Sequence, residues 1–280
     1  MKEIKQGTII QAVKQLCQEA NYVLPCDVEN ALNQAIQQED SSLSQKTLEI
    51  LKENAQMAKK TSSPICQDTG MACVFVEIGQ DVHVQGSLSE AIHEGVRQGY
   101  EEGYLRKSVV DDPMFDRINT KDNTPAIINY EIVEGDQLRI IVAPKGFGSE
   151  NMSQVKMLKP SDGEEGVKDF VLKVVHDAGP NACPPMVIGV GIGGSFDRVT
   201  LLAKKAMLRE IGTHHSDPRY HALEEELLEK INQTGIGPAG YGGRTTALSL
   251  NIETYPTHIA GMPVAVSICC HVARHKEVIL

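Results

Sequence analysis

The hydrophobic period of this chain changes near residue 60, and that change commits it to a fold mixing helices with sheets. Before it, Ile9, Ile10, Val13, Leu16 and Ala20 recur every three or four residues, and Leu48, Leu51, Ala55 and Ala58 line one side of Ser44 to Lys60. Asp27 stands where it would cap a helix running through Ile36. After it come short apolar runs bounded by turn residues: Met71 to Ile78, Ala126 to Val133, Gln137 to Ala143, Met186 to Val190, Thr245 to Glu253 and Val264 to Cys269. Such runs have the length of strands, and Glu134-Gly135-Asp136 predicts a hairpin between two of them. Helical spacing returns at Leu88 to Tyr104, Arg198 to Ile211 and Pro218 to Asn232. It also covers Ser161-Asp162-Gly163-Glu164, a capping-box pattern, through about His176. The expectation is a mixed α/β fold with a helical N-terminal segment and mixed sheets, one compact unit over residues 1–280.

Composition narrows the function. A formal net charge of −10 leaves no basic face for nucleic acid, whose phosphates demand one, yet it permits a small anion held by a few local cations. No window approaches the roughly 20 apolar residues of a membrane span, and the N-terminus has no signal-peptide pattern. Seven cysteines, an odd number, point to reduced thiols in a cytoplasmic protein.

Three of those cysteines sit in segments built for turns: Ser63-Pro64-Ile65-Cys66-Gln67-Asp68-Thr69-Gly70, Gly179-Pro180-Asn181-Ala182-Cys183-Pro184-Pro185, and Cys270, which ends an apolar run and precedes His271 and Arg274. A loop presents its thiol to a metal or a substrate, whereas Cys17, Cys26 and Cys73 lie in helical or strand patterns and read as packing residues. Structural zinc draws on close pairs such as C-x₂-C, and these thiols are more than 80 residues apart. Converging on an iron–sulfur cluster, three thiolates would leave one iron open as a Lewis acid. Spacing does not choose between Cys269 and Cys270, because strand neighbours face opposite sides.

Other motifs carry two readings each. Asp68 can transfer protons or, more plainly, hold its turn by backbone hydrogen bonds. Gly189-Val190-Gly191-Ile192-Gly193-Gly194 has the glycine pattern of a dinucleotide loop, but the acid expected about 20 residues on is missing, so a tight strand-to-helix turn is favoured. Lys145 to Asn151 is a glycine turn able to offer N–H groups to a carboxylate. Gly235 to Arg244 is the densest glycine stretch and suggests no chemistry by itself. His258 is a lone histidine, His214-His215 reads as a surface pair, and Glu224, Glu225, Glu226 and Glu229 read as a solvated helix face.

Together and in this order, the Cys66 and Lys145 segments, Cys183-Pro184-Pro185, Gly189 to Gly194, Gly240 to Thr246, Tyr255-Pro256-Thr257-His258 and Cys270-His271 with Arg274-His275 resemble the class I fumarase and L-tartrate dehydratase family of iron–sulfur hydro-lyases. The likeness is to the α subunit or N-terminal domain and covers nearly the whole chain. It implies a [4Fe–4S] cluster on Cys66, Cys183 and Cys270, thereby preferring Cys270 to Cys269. It also implies a substrate site lined by Gln67, Asp68, Arg106, Gly148 and His258, with Asp68 and His258 as catalytic candidates and Arg106 gripping a dicarboxylate. Single-chain members continue into a second domain. The chain ends at Leu280, which gives the expectation of an α subunit that works with a separate β chain in a hetero-oligomer, compatible with α–α pairing.

The activity expected first is reversible hydration of fumarate to L-malate, with L-tartrate dehydration as the alternative. A non-enzymatic iron–sulfur carrier is a third reading, but carriers usually complete the cluster with a fourth cysteine. A dinucleotide-dependent oxidoreductase comes last.

Overall fold

The computed structural model describes all residues from Met1 to Leu280. In chain order its elements are β1 (Lys2–Lys5), α1 (Gln6–Tyr22), α2 (Cys26–Gln38), α3 (Ser42–Thr61), β2 (Met71–Gly79), β3 (Val82–Gln85), α4 (Leu88–Glu102), β4 (Ile127–Val133), β5 (Leu138–Lys145), α5 (Phe147–Glu150), β6 (Gln154–Leu158), α6 (Gly163–Ala178), β7 (Met186–Gly193), α7 (Phe196–Ala206), α8 (Pro218–Asn232), β8 (Ala247–Tyr255), β9 (Met262–Cys269) and β10 (Lys276–Ile279). The class is mixed α/β, as the periodicity requires. By contacts the chain clusters into two units. The first comprises Met1–Pro25, Asn54–Phe147 and Arg274–Leu280; the second comprises Cys26–Glu53 and Gly148–Ala273. No helix is long and apolar enough to cross a membrane.

The first unit is built on a sheet in the order β10-β5-β2-β4, with β1 and β3 as a separate parallel pair. Its core joins Ile9, Val13 and Leu16 of α1 to Ile92 and Val96 of α4, Val74 and Val76 of β2, and Ile140 of β5. The predicted hairpin does not form. β2 lies between β4 and β5, parallel to one and antiparallel to the other. Burial decides this: β2 is the strand with a run of consecutive buried residues, Ala72 to Val76, whereas β4 has none. The Glu134–Gln137 turn instead arches over the end of β2, where Gly79 N donates to Gln137 O (2.8 Å) and Gln80 N to Val133 O (2.9 Å). A Cβ at Gly79 would collide with Gly135 O.

The second unit holds a sheet in the order β6-β9-β7-β8. Every residue of β7 is buried. Its side chains alternate with period two: Met186, Ile188, Val190 and Ile192 join Phe170 and Val174 of α6 and Leu227 and Ile231 of α8. Gly189 and Gly191 face α7, so close that an added Cβ would collide with Ala203 O and Val199 O respectively. Gly189 and Gly191 therefore serve helix–strand packing within the strand, while Gly193 and Gly194, with φ of +92° and +71°, form the tight turn from β7 into α7.

Several local expectations need correcting. Asp27 lies inside α2 and accepts from Ile211 N (2.8 Å), while Cys26, read as packing, is exposed. Asp162 accepts from Lys159 N (2.9 Å) and caps the 3₁₀ turn ahead of α6, with no side-chain cap on α6 itself. α7 stops at Ala206 rather than Ile211. In the acidic run Glu224 points inward, only 2% exposed, and accepts from Ile252 N (2.7 Å), His215 N (3.0 Å) and Arg209 Nη1 (2.9 Å).

Gly191→Ala should cost about 1–3 kcal/mol, the usual penalty for overpacking. A denaturant titration should show a lower midpoint with an unchanged slope; an unshifted midpoint would mean that α7 does not bear on this strand.

Candidate functional site

The Cys66 loop leaves α3 and enters β2, and its main chain is held on both sides of Cys66 and Gln67. Ile65 N donates to Asn21 O (3.0 Å) and Asn54 Nδ2 to Ile65 O (2.8 Å). Tyr100 is fully buried; burial holds its phenol well above the usual range, so it stays protonated and donates to Thr69 O and Gly70 O (2.9 and 3.0 Å). Asn123 Nδ2 adds a bond to Gly70 O (3.2 Å). Gly70 has φ +74°, and a Cβ there would fall 2.6 Å from the Lys145 main chain, so the loop needs glycine at this point.

Cys66 is half-buried, with Asp68 N 3.4 Å from its sulfur and Gln67 Oε1 at 3.5 Å. The Asp68 carboxylate is engaged on both oxygens, by Gly70 N (3.0 Å) and Phe147 N (2.9 Å). Thr69 Oγ1 accepts from Arg106 N (2.9 Å) and lies 3.3 Å from Arg106 O, anchoring an exposed arginine beside the loop. The first unit thus gathers Cys66, Gln67, Asp68 and Arg106.

Arg274 joins them, although the sequence displayed it only as the fourth residue after Cys270. Its Nη2 donates to Asp68 O (2.6 Å). The residue is 6% exposed, yet Nε and Nη1 are buried without a hydrogen-bond partner. A buried guanidinium with idle N–H groups is costly unless an anionic acceptor meets it.

In the second unit Cys183 occupies a left-handed turn, φ 52° and ψ 62°, after a 3₁₀ turn that follows α6, and it is exposed. His271 brings the end of β9 to it: His271 N donates to Cys183 O (3.3 Å), and His271 Nδ1 lies 3.0 Å from the same oxygen. Cys269 is buried inside β9 opposite Val187, whereas Cys270 lies beyond the strand, half-buried. Gly148 sits in α5, its nearest neighbour being the Asn181 carbonyl.

The glycine-dense stretch backs this turn. Ala239 N donates to Pro184 O (2.8 Å), and Gly240 (φ +79°) abuts Pro180, where any Cβ would collide. Glu39 secures the stretch by accepting from Arg244 N (2.9 Å) and Thr245 N (3.0 Å).

His258 stands apart. β8 runs parallel to β7 and β9 antiparallel to it, so Cys183 and Cys270 lie at the entry end of β7. The His258 turn lies at its exit, where Thr257 Oγ1 donates to Gly194 O (2.9 Å). Eight residues of strand, at about 3.3 Å each, separate the two ends by roughly 25 Å. Cys17 and Cys73 are buried, and desolvation pushes the Cys17 thiol up to about 12; both behave as packing residues.

The chain matches the family described as Fumarate hydratase (Fumerase) over residues 10–279. It is 46% identical over 272 residues to a Methanocaldococcus jannaschii protein that carries the provisional name L(+)-tartrate dehydratase subunit alpha, with 95% of each chain covered. The L(+)-tartrate dehydratase subunit alpha of Escherichia coli K12 is 33% identical over 261 residues, 92% of this chain and 86% of that one. Its counterpart in Escherichia coli UTI89 is 35% identical over 255 residues, covering 90% and 84%.

Burial alone would raise the pKa of Glu39, but the N–H groups of Arg244, Thr245 and Ser41 outweigh it and hold the carboxyl below its usual range. A lowered carboxylate stabilises the fold above its unfolded pKa, and that contribution is lost as pH falls through the folded value. Glu39→Gln should therefore cost about 2 kcal/mol at neutral pH and much less near pH 3. Equal penalties at both pH values in denaturant titrations would remove the charge from this account.

Proposed function

Because the chain belongs to the fumarate hydratase (fumerase) family of hydro-lyases, we propose that it is the α subunit of an L(+)-tartrate dehydratase working with a separate β chain. The observation that carries this substrate is full-length similarity to archaeal and bacterial proteins named L(+)-tartrate dehydratase subunit alpha. That shifts the preference away from fumarate, which the sequence reading put first. L-Malate, the hydrated form of fumarate, differs from tartrate by one hydroxyl. Fumarate hydration stays as the second reading, on the family description.

The reaction removes hydroxide from one carbon of tartrate and a proton from its neighbour, releasing water and an enol that ketonises to oxaloacetate. The residues fit a [4Fe–4S] cluster carried by Cys66, Cys183 and Cys270. These thiols lie on turns, half-buried or exposed, while Cys269 is packed away, and the idle N–H groups of buried Arg274 suit a neighbouring anionic centre. Such a cluster supplies a Lewis-acidic iron that weakens the C–O bond to be broken.

The chain's own groups bind and orient. Arg106, fixed through its main chain to Thr69, offers a guanidinium to one carboxylate. The exposed Gln67 amide and the Gly148 N–H are further substrate contacts in this reading. Asp68 accepts from Gly70 N and Phe147 N, so in this reading its part is to position the loop bearing Cys66 and Gln67. The base for the C–H proton belongs to the β chain. His258 cannot serve the Cys183 end of its own unit; any part it plays would be at the site of a second α chain.

With the assembled pair kept anaerobic in a reducing, cytoplasm-like buffer, kcat/KM for L(+)-tartrate should exceed that for L-malate or fumarate by about 100-fold or more, since a site that bonds a hydroxyl rejects substrates lacking it. The opposite preference would reinstate fumarate hydratase. Cys66→Ser should lose activity and bound iron together; full activity without iron would end the cluster reading. If His258 acts across chains, co-assembling Cys183→Ser and His258→Ala subunits should restore about a quarter of wild-type activity, from the one intact site in each mixed dimer. Full activity of His258→Ala by itself would exclude a catalytic part.

A further inference from the structure

The geometry points to a metal site in the second unit, separate from the cysteines: a divalent transition-metal ion of the zinc class held by His214, His221 and Glu225. Chain neighbours His214 and His215 part company in the fold. His215 turns into the protein, where its Nδ1 accepts from Asp217 N (3.0 Å) and its ring leans on Tyr220. His214 turns instead to α8 and stacks on His221, ring centroids 3.9 Å apart and 18° from parallel. Glu225, four residues after His221, is on the same helix face one turn on, with Oε1 3.4 Å from His221 Nε2. One donor atom from each of the three residues lies within 4.8 Å of the other two.

Two further observations favour an ion over a surface cluster. His221 Nε2 is a buried atom with no well-aligned hydrogen bond, and the Glu225 carboxylate stands 3.4 Å from it. Behind His214 stands Glu224, 2% exposed and locked by Ile252 N, His215 N and Arg209, with Oε2 3.6 Å from His214 Nδ1. A buried carboxylate behind an imidazole orients a metal-ligating histidine once the ring closes on it, which would leave Nε2 of His214 for the ion. All three side chains are partly exposed, His221 at 39%, His214 at 42% and Glu225 at 65%, and can turn from the stacked arrangement to bring their donor atoms onto one ion.

Two imidazoles and one carboxylate suit zinc, cobalt or nickel better than calcium or magnesium and leave a fourth position for water. His215 Nε2 is 3.4 Å from Thr254 Oγ1, and Thr254 pairs with Ile192 near the exit of β7. The cluster therefore stands at the opposite end of the sheet from Cys183 and Cys270. An ion here would pin the segment between α7 and α8 onto α8.

Cobalt titration of the full-length chain tests this, because cobalt reports its donors by colour. Nitrogen and oxygen ligands give weak visible bands, whereas thiolates add a strong near-ultraviolet charge-transfer band. The expected result is one equivalent bound without the thiolate band. Affinity should fall at least ten-fold in both His221→Ala and Glu225→Gln and stay unchanged in Cys183→Ser. Glu225→Gln changes an exposed side chain and guards against misfolding of the histidine variant. Cobalt bound equally well by both variants, bound only with the thiolate band, or not bound at all would overturn the site.

Discussion

Each unit has inner strands whose two faces must both leave water, and the rest of the arrangement follows from covering them. In the first unit the longest buried run is that of β2, and in the second β7 is buried at every residue beside the nearly as buried β9. β2 takes the place between β4 and β5, which displaces the turn joining them to its end. β7 presents aliphatic side chains to α6 and α8 and bare glycine backbone to α7. The same requirement sets the candidate site: Cys66 lies on the turn that feeds β2 and Cys183 on the turn that feeds β7. A turn rooted in a strand that cannot shift without exposing its core holds its thiol steady.

The turns are further stiffened by polar groups spent on main-chain bonds. Tyr100, Thr69, Asn123 and both oxygens of Asp68 satisfy the Cys66 loop, while Glu39 and Asn232 satisfy the stretch around Arg244 to Ala247. Such networks work when every member is paired. Against that background Arg274 stands out, because its Nε and Nη1 are buried without a hydrogen-bond partner while its Nη2 donates to Asp68 O.

What the sequence displayed was set by local physics. The existence of the helices and strands and the placing of the three turn-borne thiols read correctly, because each is decided within a dozen residues, while caps and ends such as those at Asp27, Asp162 and Ala206 did not. The larger failures involve distant partners. Turn chemistry at Glu134 to Asp136 is the same whether the flanking strands pair or straddle a third. Glycines at 189 and 191 look alike whether a phosphate or the helix of Ala203 needs to come close. Glu224 sits in an acidic run and differs from its neighbours only by facing the Ile252 and His215 amides. The distance between His258 and Cys183 is a matter of strand register, and no motif spacing conveys it.

The first unit is completed by the segment Arg274–Leu280, which supplies the outer strand β10 against β5 and the paired main-chain bonds between Leu138 and Leu280. Every segment of the second unit precedes it. During synthesis, therefore, the second unit has all its strands before the first can close its sheet. For that interval β5 presents an unpaired edge, the kind of template on which chains stick to one another. The order in which the ribosome releases these residues leaves the sheet of the first unit to be closed only after every strand of the second has been made.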